Sequence, residues 1–159
     1  MGKPRHKTGT FVRLALADGS FGYGRLLEPP HIAFYNHRTT APDFDLDRIA
    51  SKPVLFKIAV NLLALNAWEP IGWKSLEEHL TQPLVQFRQD VGDFRRCTIF
   101  DTAGNKRTAE PQECVGLERA AVWEQDSVEE RLLDTFLGRP NAAEEHLKVR
   151  LRQTQSANS

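Results

Sequence analysis

Cysteine, charge of one sign and long apolar runs are all scarce in this 159-residue chain, and each scarcity excludes a class. Two cysteines, Cys97 and Cys114, are too few for a disulfide framework and read as a reduced, partly buried pair of a cytoplasmic protein. Twenty-one basic residues balance 21 acidic ones, without the basic excess of a bulk electrostatic nucleic-acid binder. The longest apolar stretch, Ile58 to Leu65, is broken by Asn61 and falls far short of the roughly 20 residues that span a bilayer. Met1 to Lys7 has no apolar signal-peptide core. Catalytic and metal signatures are missing as well. His6, His31, His37, His79 and His146 show no HxxxH spacing, and the cysteines form no CxxC pair. Ser20 and Ser75 lie outside any nucleophile elbow. Gly19, Gly22 and Gly24 precede no helix, so they do not make a phosphate loop. Asp43, Asp45 and Asp47 begin like a calcium loop, but Arg48 and Val54 stand where its glycine and closing glutamate belong. The expectation is a protein without metal, cofactor or catalysis.

What is present is a β meander. In Gly9 to Tyr35, two β-branched and aromatic runs flank Ala17-Asp18-Gly19-Ser20, a hairpin signal because Gly supplies the positive φ of the turn. Val12, Leu14 and Leu16 share one face of the first strand; Phe21, Tyr23, Arg25 and Leu27 share one face of the second. Gly22 and Gly24 lie opposite, where the missing side chains let another element approach or the strand bend. Pro29-Pro30 ends that strand, and Ile32 to Tyr35 reads as a third. Asp43 to Ala50 is a loop or one helical turn. Val54 to Val60 alternates so cleanly that it reads as a central strand, buried on one face and partly covered on the other.

Trp68 to Trp73 reads as a short strand or bend. Ser75-Leu-Glu-Glu78 is a capping box opening a short helix that Pro83 stops. Leu84–Gln89 and Arg96–Asp101 are further strands, a Gly-Asn turn follows at Gly104, and Ala120 to Trp123 is a short strand. Ser127-Val-Glu-Glu130 is a second capping box, with Val128, Leu132, Leu133, Phe136 and Leu137 at helical spacing. Gly138 sits where an αL cap belongs, with Pro140 beyond it. A last helix starts at Asn141. The fold class is α+β, mainly β: a small bent antiparallel sheet or an SH3-like, partly open barrel with C-terminal helices. One domain is expected over 9–151, β-rich over 9–123 and helical over 126–151, with flexible tails at 1–8 and 152–159.

Tyr23 and Arg25 are interface anchors if their strand face is exposed, and core if it turns inward. Asp43 and Asp45 form an acidic loop able to meet a basic partner. Between Glu110 and Asp134 eight acids face only Arg119 and Arg131, and Glu129 and Glu130 on the first long helix are the natural docking acids.

Gly9-Thr-Phe11, Leu16-Ala-Asp18-Gly19 and Tyr23-Gly24-Arg25 resemble the opening motif of the immunity protein 26 family of bacterial polymorphic toxin systems. Ile32-Ala-Phe34-Tyr35, Phe56-Lys-Ile-Ala-Val60, Trp68-Glu-Pro-Ile-Gly72, the Leu76-Glu-Glu stretch and Phe87-Arg-Gln-Asp90 are similar in order and spacing. Thr10 departs from the pattern, where an acid is expected. The resemblance implies a cytoplasmic, non-enzymatic, mainly β protein that binds the toxin encoded beside it and blocks its active surface. Homodimerisation through the helical end is compatible with it. The alternative is a small β-barrel module that binds nucleic acid or another protein outside any toxin system.

Overall fold

Residues 7–152 are described by a computed structural model; Lys3 and Arg5 of the basic N-terminal segment and the polar tail 153–159 lie outside them. The described residues form ten strands and three α-helices. Strands β1 (Thr10–Ala15), β2 (Phe21–Leu26) and β3 (His31–Tyr35) form the expected meander, and β4 (Val54–Val60) and β5 (Glu69–Trp73) complete its frame. Helix α1 (Leu46–Ala50) precedes β4. Strands β6 (Val85–Gln89), β7 (Cys97–Asp101), β8 (Lys106–Ala109) and β9 (Glu118–Arg119) build a second sheet. Strand β10 (Val122–Trp123) leads into α2 (Gln125–Leu137), and α3 (Ala142–Leu147) follows.

The contacts divide the chain into two compact units, residues 1–82 with 121–143, and residues 83–120 with 144–159. The first holds a six-stranded sheet in the order β10-β4-β3-β2-β1-β5, antiparallel except for the β10–β4 pair. The second holds the sheet β8-β7-β6-β9. The α+β, mainly β class is realised, and among the described residues neither sheet closes into a barrel. Strand β8 escapes the period-2 rule because Lys106, Arg107 and Thr108 are all exposed; β7 supplies its pairing instead.

The six-stranded sheet is covered on both faces. On one, Phe11, Tyr23 and Tyr35 are buried with Ile49 of α1, and Leu46 and Ile71 pack against them. On the other, α2 lies close: a Cβ on Gly22 would sit 2.5 Å from Leu132 Cδ2. The Arg131 guanidinium lies 4.0 Å from the Phe56 ring centroid, and Trp68 meets Phe34 edge-on. Both helix starts differ from the capping-box expectation. The Ser75 carbonyl accepts from Arg25, and only a 3₁₀ turn, Glu78–Leu80, follows, without a side-chain cap. Helix α2 starts at Gln125, so Ser127 falls inside its first turn; Glu124 flanks the start, its carboxylate held by Asn61. The stop is as expected, with Gly138 in the αL region at φ 68°.

Arg25 is completely buried inside this frame. Nε donates to Gly9 O (2.8 Å), Nη1 to the Tyr35 hydroxyl (3.1 Å) and Glu77 Oε1 (2.8 Å), and Nη2 to the carbonyls of Lys74 and Ser75 (both 2.9 Å). The Phe11 ring centroid lies 4.0 Å from the guanidinium carbon. Burial pushes the Glu77 carboxyl up, but its own backbone N–H and the Arg25 charge outweigh that and hold it below the usual glutamate range.

Three outcomes follow for stability. Arg25→Lys keeps the charge but loses the planar fork, and is expected to cost about 2–4 kcal/mol in urea unfolding through stranded acceptors. Gly22→Ala is expected to cost about 1–3 kcal/mol by overpacking against Leu132. At the β1–β2 turn, the Ser20 hydroxyl, the Ser20 N–H and Arg38 hold the Asp18 carboxyl down at about 2, from an ordinary 3.8. A carboxyl depressed on folding stabilises above its unfolded value and loses that contribution as pH falls through the folded one. The stability gap between wild type and Asp18→Asn in unfolding titrations is therefore expected to be full above pH 3.8 and to close toward about pH 2.

Candidate partner-binding surface

The chain segment between β3 and β4 must cover a sheet face that carries Tyr23 and Arg25, and it does so with polar side chains as well as α1. Tyr23 has no exposed surface. Its hydroxyl accepts the Asp43 N–H (2.9 Å), shares a hydrogen bond with the Thr39 hydroxyl (2.7 Å), and its ring lies 5.0 Å from that of His37. Asp43 places one carboxylate oxygen 2.8 Å from His37 Nε2 and accepts the Asp45 N–H on the other (2.9 Å). Burial pushes the Asp43 carboxyl up, but the Asp45 N–H, His37 and the Arg48 charge together hold it below its usual range. Asp45 caps α1: Oδ1 accepts the Arg48 N–H (3.1 Å) and Oδ2 pairs with the Arg48 guanidinium (3.2 Å). Asp47 is ion-paired with Lys74. Arg48 thus bridges Asp43 and Asp45, while Asp47 turns to Lys74.

Tyr23 and Arg25 therefore take the inward alternative: the β3–β4 segment uses the Tyr23 hydroxyl, and Gly9, Tyr35 and the stretch after β5 use the Arg25 guanidinium. Neither reaches the surface. Asp45 does, and so does a residue the pattern analysis passes over. Phe44, between the two aspartates, is 61% exposed. The Arg13 guanidinium backs its ring at 4.9 Å from the centroid, contacts Phe21 at 5.3 Å, and pairs with Glu69 at 3.2 Å. Arg13 is almost fully buried, and its Nη1 has no acceptor among the described residues. The signal for Phe44 in the sequence is a single phenylalanine set between Asp43 and Asp45 in a polar stretch.

Glu129 and Glu130 sit on α2, at the opposite face of the sheet. Glu129 is committed to the fold: Oε2 accepts from the buried indole Nε1 of Trp68 (2.8 Å) and from Gln125 (3.1 Å). Glu130 is exposed, as are Glu124 and Asp126. The geometry thus brings Tyr23 and Asp43 together, adds Asp45 and Phe44 on their outer side, and separates Glu129 and Glu130 from them. No helix among the described residues is long and apolar enough to cross a membrane.

No curated protein and no solved structure matches the chain. A family model described as Immunity protein 26 matches residues 7–98, which takes in β1 to β6, Arg25 with every acceptor it holds, and the Phe44 loop. With more than half of its length inside that match, the chain belongs to the Immunity protein 26 family.

Proposed function

We propose that this protein is the immunity partner of a bacterial polymorphic toxin: it binds the toxin of its own cell in the cytoplasm and occludes the toxin's active surface, with no chemistry of its own. Family membership over residues 7–98 carries this reading. The contact surface we assign to the toxin centres on Phe44, with Asp45 and Asp47 at its rim. Three features support that choice. A large exposed ring is the kind of group that dominates binding energy when it fills a partner's pocket. The ring is already held by Arg13 and by a loop pinned at Tyr23, His37 and the α1 cap, so little ordering entropy remains to be lost on docking. Rim carboxylates favour encounter with a basic surface. Asp126 and Glu130, on the other side of the sheet, act at longer range, adding to the field that draws a cationic partner in.

Co-expression with the product of the neighbouring gene, followed by tagged purification, tests both layers. One stoichiometric partner, toxic when expressed alone, is the expected result. Phe44→Ala is then expected to weaken the complex by about 10–100-fold. Asp47→Asn should change mainly the association rate and its salt dependence. An unaltered affinity in Phe44→Ala would move the contact elsewhere while leaving the toxin reading intact. Recovery of nucleic acid that high salt removes, with no protein partner, would overturn the toxin reading itself.

A further inference from the structure

In the second unit, the loop joining β6 to β7 bounds a cleft of about 690 Å³, with Gln89, Asp90, Phe94, Arg95, Arg119 and Arg150 in its lining. That size lies within the roughly 300–1,000 Å³ typical of small-ligand sites. Arg119 is half-buried, yet its hydrogen bonds go to neutral acceptors only: Nε to Leu147 O (2.9 Å), Nη2 to Gln89 Oε1 (3.2 Å) and to Lys148 O (3.4 Å). Its face lies over the Phe87 ring. Neither Arg119 nor Arg150 has an ion-pair partner among the described residues. Burial first, and the Arg150 charge second, push the Arg119 guanidinium below its ordinary pKa. Arg119 and Arg150 thus both line the cleft, Arg119 partly desolvated and neither paired with a carboxylate among the described residues, and a partly desolvated charge without a counter-ion gains from a bound anion.

The carboxylates in the lining do not fill that role. Asp90 Oδ1 turns back to accept the N–H groups of Gly92 (2.7 Å) and Asp93 (3.0 Å). Asp93 Oδ1 accepts the Arg95 N–H (3.1 Å) and lies 3.5 Å from Arg95 Nε. Gln89 organises the cationic side. Its amide nitrogen donates to Phe94 O (2.7 Å) and Arg150 O (2.8 Å), while its oxygen accepts from Arg119 and from the Arg150 N–H (2.9 Å). One side chain thus fixes the loop, the Arg119 head and the backbone that carries Arg150.

We propose that this cleft binds a small oxyanion, a phosphate or a carboxylate, between Arg119 and Arg150, with Arg95 as a third cation. Guanidinium donors match both anions in charge and in fork geometry. The site is independent of the toxin contact assigned to the first unit. The test is an NMR titration of the full-length protein with inorganic phosphate and, separately, with citrate, at ionic strength held constant with chloride. Saturable shifts are expected at the backbone N–H groups of residues 89–95, Arg119 and Arg150, and the stronger of the two titrants identifies the class of anion. Arg150→Gln is expected to weaken binding about tenfold, the loss of one charge-assisted contact, with an unchanged thermal midpoint because that side chain supports no other group. Absence of saturable shifts in wild type would overturn the proposal. So would shifts that persist undiminished in the Arg95→Gln/Arg150→Gln double variant, since the anion would then sit elsewhere.

Discussion

A fully buried arginine is the constraint around which the first unit is built. The Arg25 guanidinium carries five N–H donors, and five acceptors meet it, drawn from Gly9, Tyr35, Lys74, Ser75 and Glu77. These belong to the residue before β1, to β3, and to the stretch after β5. A planar cation can be matched in this way only if all three segments arrive together, so its satisfaction specifies one arrangement of the meander more strictly than apolar packing does. The desolvation cost of the charge is offset by Glu77 and by the Phe11 face. Ser75 shows the consequence locally. A residue with every sequence credential of a helix cap gives its carbonyl to Arg25, and no helix starts there.

The same logic runs through the polar cover of that sheet face. Tyr23, Thr39, His37 and Asp43 form a continuous hydrogen-bonded chain, and Asp45 hands it on to α1. The cover is therefore stiff although the segment is rich in polar residues and holds only one short helix. Stiffness is what makes Phe44 noteworthy. A pinned loop that holds the ring on a buried arginine and still leaves it in solvent is the arrangement on which the proposed toxin contact rests.

The sequence was most informative where one physical period dominated. The β1–β2 turn, the face pattern of β4 and the αL stop at Gly138 each follow from a single local rule, and each stands where that rule puts it. Gly22 is similar: its lack of a side chain predicts a close neighbour, and Leu132 is that neighbour. Reading failed where a residue's role depended on distant chain. Tyr23 and Arg25 share a strand face, but nothing local tells whether the segment over 36–53 covers it. Glu129 looks like a surface acid by helical spacing, yet it satisfies the indole of Trp68, 61 positions earlier. Strand β8 has no apolar alternation because it borrows its order from β7.

These failures share a direction. Several charged residues prove to be structural, so the pool available to a partner is smaller than the composition suggests. In the first unit Arg25, Arg131, Asp43, Asp134 and Glu129 are all buried or engaged by the fold. The exposed acids of that unit still include Asp45, Asp47, Glu69, Glu124, Asp126 and Glu130, and its large exposed rings are Phe44 and Trp73. By the same measure Asp45 and Asp47, paired with Arg48 and Lys74, offer a partner field more than direct contact, because a carboxylate already held in an ion pair gains little from a second partner. Steering and contact make different demands. Acids on α2 need only be present to contribute to a field, whereas Phe44 must meet a complementary pocket to contribute anything at all.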